Sequence, residues 1–311
     1  MQRKLYILSG VLSVLILVNI FFIFSFQKEG RDNSDRVEMP LNGAQAYIFP
    51  VSAPSYLPEL NTAVERPQLS AKSAVIYDTR SSRYLYSKNP EDRLPVASLT
   101  KLLTAIAAIE NLNLDDIVTV SEESVKVDGE KQTLYLDEKI RVRDLLKMML
   151  VESSNDAAYA LRFYASSSGV DLIGLMNRKA VELGMLNSIF RDPAGLNDDA
   201  LSSSEDIVKL VIYSLKFDEL WATLGEKTAS VYSIDGKIEH KINNTNQLLG
   251  IIPDIIGGKT GNTDKALGCM LLVVDIPGKN DKIISVVLGS DERFTDTEKL
   301  INWTKRAYNW E

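Results

Sequence analysis

Ser98-Leu99-Thr100-Lys101 places a hydroxyl and an amine about one helical turn apart, on the same face of any helix that runs through them. A serine oxygen attacks a carbonyl only if a base takes its proton, and a lysine serves as that base when its amine is neutral. The residues that follow, Leu102, Leu103, Ala105, Ile106, Ala107, Ala108 and Ile109, predict a helix apolar on nearly every side, which pulls Lys101 out of water. Burial lowers a lysine pKa, and a second cation nearby lowers it further. Ser98 falls near the helix amino terminus, where unpaired amides and the dipole stabilise a developing oxyanion. The chemistry this pattern suits is cleavage of an amide through an acyl-serine intermediate. The bland alternative is a serine that only caps a helix.

Other hydrolytic sets are thin. His240 is the single histidine, and neither a His-Glu-x-x-His zinc motif nor a Gly-x-Ser-x-Gly elbow occurs. In Ile238-Glu239-His240-Lys241-Ile242 the histidine shares a strand face with two isoleucines and reads as structural. Cys269 is the single cysteine, inside the apolar run Gly268 to Val274, so it reads as an inert core thiol and excludes an intramolecular disulfide or a thiolate metal cluster. No metal and no cofactor is expected. A net charge of −7, without a Lys/Arg block, argues against nucleic acid as a partner, so an anionic substrate must meet locally placed cations.

Two further elements bear on that need. Ser153-Ser154-Asn155-Asp156 lies between two helical patterns, where its side chains project from a turn into a cleft or merely cap the next helix. Gly257-Gly258-Lys259-Thr260-Gly261 follows Ile255-Ile256. Glycines beside a strand let a substrate backbone approach and add to the edge, and Lys259 supplies the second cation.

The elements that must position these groups follow from periodicity. Residues 74–77 and 84–86 read as paired strands, and Pro95 to Glu110 as the apolar helix. Helical spacing recurs near Val142–Val151, Asp156–Ala165, Val170–Leu183 and Ser204–Leu215. Strands return at Ser230–Ile234, Lys237–Ile242, Leu267–Asp275 and Lys282–Leu288, and a last helix spans about Asp296–Tyr308. Strands at both ends predict an α/β fold, an antiparallel sheet with packed helices interrupted by an all-helical subdomain. With 45% hydrophobic and 25% charged residues the chain is globular rather than disordered.

Ahead of this domain, Leu5 to Gln27 carries no charge and would span roughly 34 Å as a helix, enough for the ~30 Å hydrocarbon core. Residues 1–4 are then a cytoplasmic tip, 5–27 one uncleaved transmembrane helix, 28–69 a Pro- and polar-rich extracytoplasmic linker and 70–311 the catalytic domain. Tyr47, Phe49, Tyr56 and Leu57 would also allow part of that linker to dock as an extended arm.

From about Leu69 to Trp310 the chain resembles the D-alanyl-D-alanine carboxypeptidase family, the low-molecular-weight penicillin-binding proteins, in its three motifs, in Asp192-Pro193-Ala194-Gly195-Leu196 and in Arg293-Phe294-Thr295-Asp296-Thr297. The resemblance implies a penicillin-binding protein/β-lactamase-like fold, and roles for named residues. Ser98 attacks the D-Ala-D-Ala carbonyl, Lys101 takes its proton, and Ser153 with Lys259 protonates the leaving amine. Asn155 holds the substrate amide, the amides of Ser98 and Asn262 form the oxyanion hole, and Lys259, Thr260 and Arg293 face the terminal carboxylate beside Gly261. The implied partners are stem peptides ending in D-Ala-D-Ala, β-lactams as covalent inhibitors, and the cell membrane through residues 5–27, with the domain outside. Asp192 stands where the family has asparagine, Asn262 where histidine or a bulky residue is frequent, and Leu267 interrupts a usual Ala-Gly pair. From the short stretch after the last helix, the extra β domain and carboxyl-terminal amphipathic anchor of many relatives are not expected here. The same site would serve a D,D-endopeptidase; a serine β-lactamase and a non-catalytic β-lactam sensor are the remaining alternatives.

Overall fold

The computed structural model describes residues 57–127 and 133–310. Residues 1–4, the predicted span 5–27 and the linker as far as residue 56 lie outside them. Among the described residues no helix is long and apolar enough to cross a membrane.

Strands from both ends of the domain join one sheet. β1 (Ser73–Asp78), β2 (Arg83–Lys88), β3 (Ile255–Thr263), β4 (Leu267–Ile276) and β5 (Asp281–Ser290) lie in the order β3-β4-β5-β1-β2, antiparallel throughout. Side chains alternate between its faces. Cys269, Leu271 and Val273 of β4 enter one core, and Met270, Leu272 and Val274 enter another on the opposite face. Both faces are covered, which is why β4 reads as an unbroken apolar run rather than an alternating one.

The larger core joins the sheet to the helices inserted between β2 and β3. The longer of these are α1 (Thr100–Asn111), α2 (Val142–Val151), α3 (Asn155–Ser167), α4 (Leu172–Glu182), α5 (Ser204–Ser214) and α6 (Asp218–Gly225), beside a single turn over Glu122–Val125. Asp171 and Ser203 cap α4 and α5 by accepting from the amides of Gly174 and Asp206. In α1 every side chain from Thr100 to Ala108 is buried. Burial of Leu102, Leu103 and Ile106, each without exposed surface, contributes about 1.5–3 kcal/mol apiece, so the helix is fixed along its length. The smaller core lies under α7 (Arg293–Ala307), which covers the other face with Leu300, Ile301, Trp303 and Ala307. The predicted sheet interrupted by helices is the observed one.

Three readings need correction. The helix expected from Pro95 starts at Thr100, preceded by a 3-10 turn over Ala97–Leu99, because Ala97 at φ 46° cannot belong to an α-helix. The strands expected near 230–242 do not return to the sheet: Thr228–Tyr232 and Glu239–Asn243 pair only with each other. The expected last helix begins earlier, at Arg293, and α6 was not anticipated. Ahead of Leu69, part of the stretch expected as linker packs on the domain as an extended arm. Glu59–Leu60 pairs with Tyr308–Asn309, the Asn61 amide donates to Ala307 O at 2.7 Å, and Val64 and Leu69 pack on the core under α7.

Candidate active site

Ser98 sits on the 3-10 turn where edge strand β3, the start of α1 and the Asp192–Leu196 loop meet. Two glycines permit that meeting. At Gly195, with φ +78°, a Cβ would lie 1.9 Å from Ala97 O. At Gly261 of β3 a Cβ would lie 3.0 Å from Ser98 N and from Val96 O. The backbone that carries the serine is therefore pressed between two chains that have no side chain at the contact.

One turn along α1, Lys101 has no exposed surface. Its Nζ lies 2.8 Å from Ser98 Oγ, 2.8 Å from Asn155 Oδ1 and 2.9 Å from Ala194 O. The amine is thus held on the serine oxygen by an amide side chain and a main-chain carbonyl.

The second group grows from the turn between α2 and α3. Ser154 caps α3, accepting from the Ala157 amide at 3.0 Å, and its hydroxyl donates to Asp156. Capping is therefore the task of Ser154, and its neighbours Ser153 and Asn155 are left to face the cavity. Ser153 is held at φ 68°, a left-handed conformation that a side chain disfavours. Lys259 of β3, 1% exposed, donates to Ser153 Oγ at 2.8 Å and to Thr260 O at 3.0 Å.

These groups surround one cavity of about 530 Å³. Ser98, Ser153, Asn155, Thr260, Gly261, Asn262 and Arg293 line it, and Lys101 and Lys259 reach it through the two serines. All nine residues singled out in the sequence come together. Arg293 donates from Nη1 to Asn262 Oδ1 at 3.2 Å and lies over the Phe294 ring at 4.6 Å. Leu196, Thr245, Thr263 and Asp264 also line the cavity and were not singled out as site residues. The signal for Thr245 was present in the polar run Asn243-Asn244-Thr245-Asn246 directly after a strand.

Asp192 is buried beneath this site. Its Oδ1 accepts from the amides of Ala194, Gly195 and Leu196 at 2.7, 2.7 and 3.2 Å, and its Oδ2 from Asn197 at 2.8 Å. The carboxylate folds the loop that presents Ala194 O to Lys101. Thr104 of α1 anchors the same loop by donating to Pro193 O at 2.7 Å. His240 pairs through Nε2 with Glu138 Oε1 at 2.7 Å, and that hydrogen bond holds its pKa above the ordinary histidine value. Burial pushes the Cys269 thiol up to about 11, which keeps it inert.

Comparison with known proteins adds an independent line. A family model described as D-alanyl-D-alanine carboxypeptidase matches residues 60–292. The chain is 31% identical over 247 residues to the D-alanyl-D-alanine carboxypeptidase DacF of Bacillus subtilis, covering 76% of this chain and 63% of that protein's length. It is 37% identical over 194 residues to a D-alanyl-D-alanine endopeptidase of Haemophilus influenzae, covering 61% and 66%. The crystal structure of penicillin-binding protein D2 from Listeria monocytogenes, in its ampicillin-bound form, superposes with a TM-score of 0.66 at 31% identity, covering 77% of this chain and 99% of that one. A match that extends from the amino-terminal arm to the start of α7 takes in the sheet, the inserted helices and the cavity together, and the chain belongs to the D-alanyl-D-alanine carboxypeptidase family.

Proposed function

We propose that this protein is a serine-type D-alanyl-D-alanine carboxypeptidase that removes terminal D-Ala from peptidoglycan stem peptides through an acyl-Ser98 intermediate. The observation that carries the reading is the pair of buried lysines, Lys101 on Ser98 and Lys259 on Ser153, with both serines lining one cavity.

Lys101, held 2.8 Å from Ser98 Oγ, takes the Ser98 proton as Oγ attacks the carbonyl of the penultimate D-Ala. The amides of Ser98 and Asn262 hold the oxyanion. Ser153, backed by Lys259, delivers a proton to the departing amine, and the C–N bond breaks. Water then releases the acyl group from Ser98. Asn155 holds the substrate amide, Gly261 lets the peptide lie along β3, and Thr260 with Arg293 receives the carboxylate. A β-lactam enters the same route, but its leaving amine stays tethered in the site.

The membrane assignment belongs to this proposal. The uncharged run from Leu5 to Gln27 supports a single-pass anchor with the domain outside, where the substrate is. A second reading, a D,D-endopeptidase that cuts cross-links, is favoured by the name of the 37% identical relative. Mass spectrometry of muropeptides incubated with the full chain separates the two. Loss of terminal D-alanine from monomeric pentapeptides supports the carboxypeptidase. Conversion of cross-linked dimers to monomers, with pentapeptides intact, would replace it by the endopeptidase.

A further inference from the structure

Thr245 belongs to none of the three motifs, yet the structure builds a seat for it. The Asn246 amide donates to Asn244 Oδ1 at 2.8 Å, and the Leu248 amide donates to Asn246 Oδ1 at 3.0 Å. Asn244 is itself fixed, donating from Nδ2 to Leu224 O at 3.2 Å and Glu226 O at 2.8 Å. Between these two asparagines, Thr245 touches both walls of the cavity. Its amide donates to Val151 O at 3.2 Å, at the end of α2 and two residues before Ser153. Its Oγ1 accepts from Thr260 Oγ1 at 2.7 Å, on β3 beside Lys259.

We propose that Thr245 is a specificity-determining substrate contact, which with Thr260 reads the free carboxylate at the end of the peptide. The proposal rests on the carboxypeptidase reading of the site.

Protons limit what this pair of hydroxyls can satisfy by itself. Two hydroxyls carry two, and the bond between them uses one. The other remains for a ligand, because both threonines line the cavity and no other described side chain accepts from either. Arg293 on the same cavity supplies charge. A carboxylate satisfies both groups, since it is anionic and only accepts. A carboxamide, or the amide of a cross-link, has no net charge and turns a donor toward part of the same seat. The Thr245 hydroxyl therefore contributes to the choice between a free end and a blocked one.

The test uses two peptides that differ only at the end, one with D-Ala-D-Ala carboxylate and one with D-Ala-D-Ala carboxamide. Each enzyme preparation gives a ratio of kcat/KM for acid over amide, which does not depend on how much of the preparation is folded. Thr245→Val keeps the shape and removes the hydroxyl, and its ratio is expected to fall about tenfold below wild type. Thr245→Ser, which retains a hydroxyl, is expected to keep the wild-type ratio. An unchanged ratio in Thr245→Val, or in Thr245→Ala if the valine variant does not fold, overturns the inference while leaving the carboxypeptidase reading intact. A wild-type protein that releases D-alanine, or its amide, from neither peptide overturns that reading and this inference together.

Discussion

Lys259 Nζ lies 2.8 Å from Ser153 Oγ, and the serine that receives it holds a left-handed backbone at φ 68°. A strained residue persists where its surroundings over-determine it, and here the lysine and the capped helix behind it do so. Ser153→Ala and Ser153→Gly both lose the hydroxyl, but only glycine relieves the strain. The glycine variant is expected to be the more stable by about 1 kcal/mol, and both are expected to lose about 10²–10⁴-fold in D-alanine release. Denaturant melts and turnover assays on the two variants check this. An alanine variant more stable than the glycine one would sink the strain argument.

The nucleophile turn is predicted to be sensitive to a residue that never touches substrate. Gly195→Ala drives a Cβ to 1.9 Å from Ala97 O, whereas Gly278, also left-handed at φ +75°, has open space around it. Gly278→Ala therefore bears only the conformational cost, about 1 kcal/mol. Gly195→Ala should cost about 1–3 kcal/mol more and slow penicillin acylation at Ser98 as the turn shifts. Equal melting temperatures in the two variants would contradict the crowding.

That turn also marks where sequence stops being legible. Ser98, Lys101, Ser153, Asn155 and Lys259 announced themselves because proton transfer demands particular side chains at particular spacings. Unbroken apolar runs marked β4 and β5, which are buried on both faces, and helical spacing marked α2, because in each case the pattern of apolar residues follows the pattern of burial. Ala97 carries no such signal, because its left-handed φ is imposed by contacts with Gly195 and Gly261, both far along the chain. The same holds for the hairpin of Thr228–Tyr232 and Glu239–Asn243, since alternation identifies a strand and not the strand it pairs with. Thr245 was passed over for a third reason, although the polar run around it was in view. Its side chain is common and unremarked, and only the asparagines around it bring it to Thr260.

The His240–Glu138 pair predicts a pH dependence of stability. Glu138 raises the histidine above its ordinary value of about 6.5, mainly through their hydrogen bond, with Glu152 and Asp156 adding to it and burial opposing it. A raised value means the folded state binds the proton more tightly. The contribution is therefore complete below the unfolded value near 6.5 and lost as pH rises through the folded one. The gap in melting temperature between wild type and His240→Gln should be widest in acid and narrow above neutrality. A gap that stays constant from about pH 5 to pH 9 would show that the pair contributes nothing through its charge.

Asp192 supplies the last prediction, which concerns water rather than the serine. Release of a penicilloyl group from Ser98 needs an activated water, and a carboxylate near the site is the natural candidate to provide it. Asp192 is the one carboxylate in the Asp192–Leu196 loop, but both its oxygens are engaged by the amides of Ala194, Gly195, Leu196 and Asn197. Those bonds turn both oxygens into its own loop, away from the task of a base. Asp192→Asn removes the charge and turns a donor toward at least one of these amides, so it is expected to cost about 1–3 kcal/mol of stability. Thermal unfolding of the variant measures that cost. The lifetime of penicilloyl-enzyme, followed by intact-protein mass spectrometry after a penicillin pulse, is expected to remain long in both proteins. If the wild-type adduct decays quickly and Asp192→Asn lengthens its life about tenfold or more, Asp192 activates water and the site is a β-lactamase.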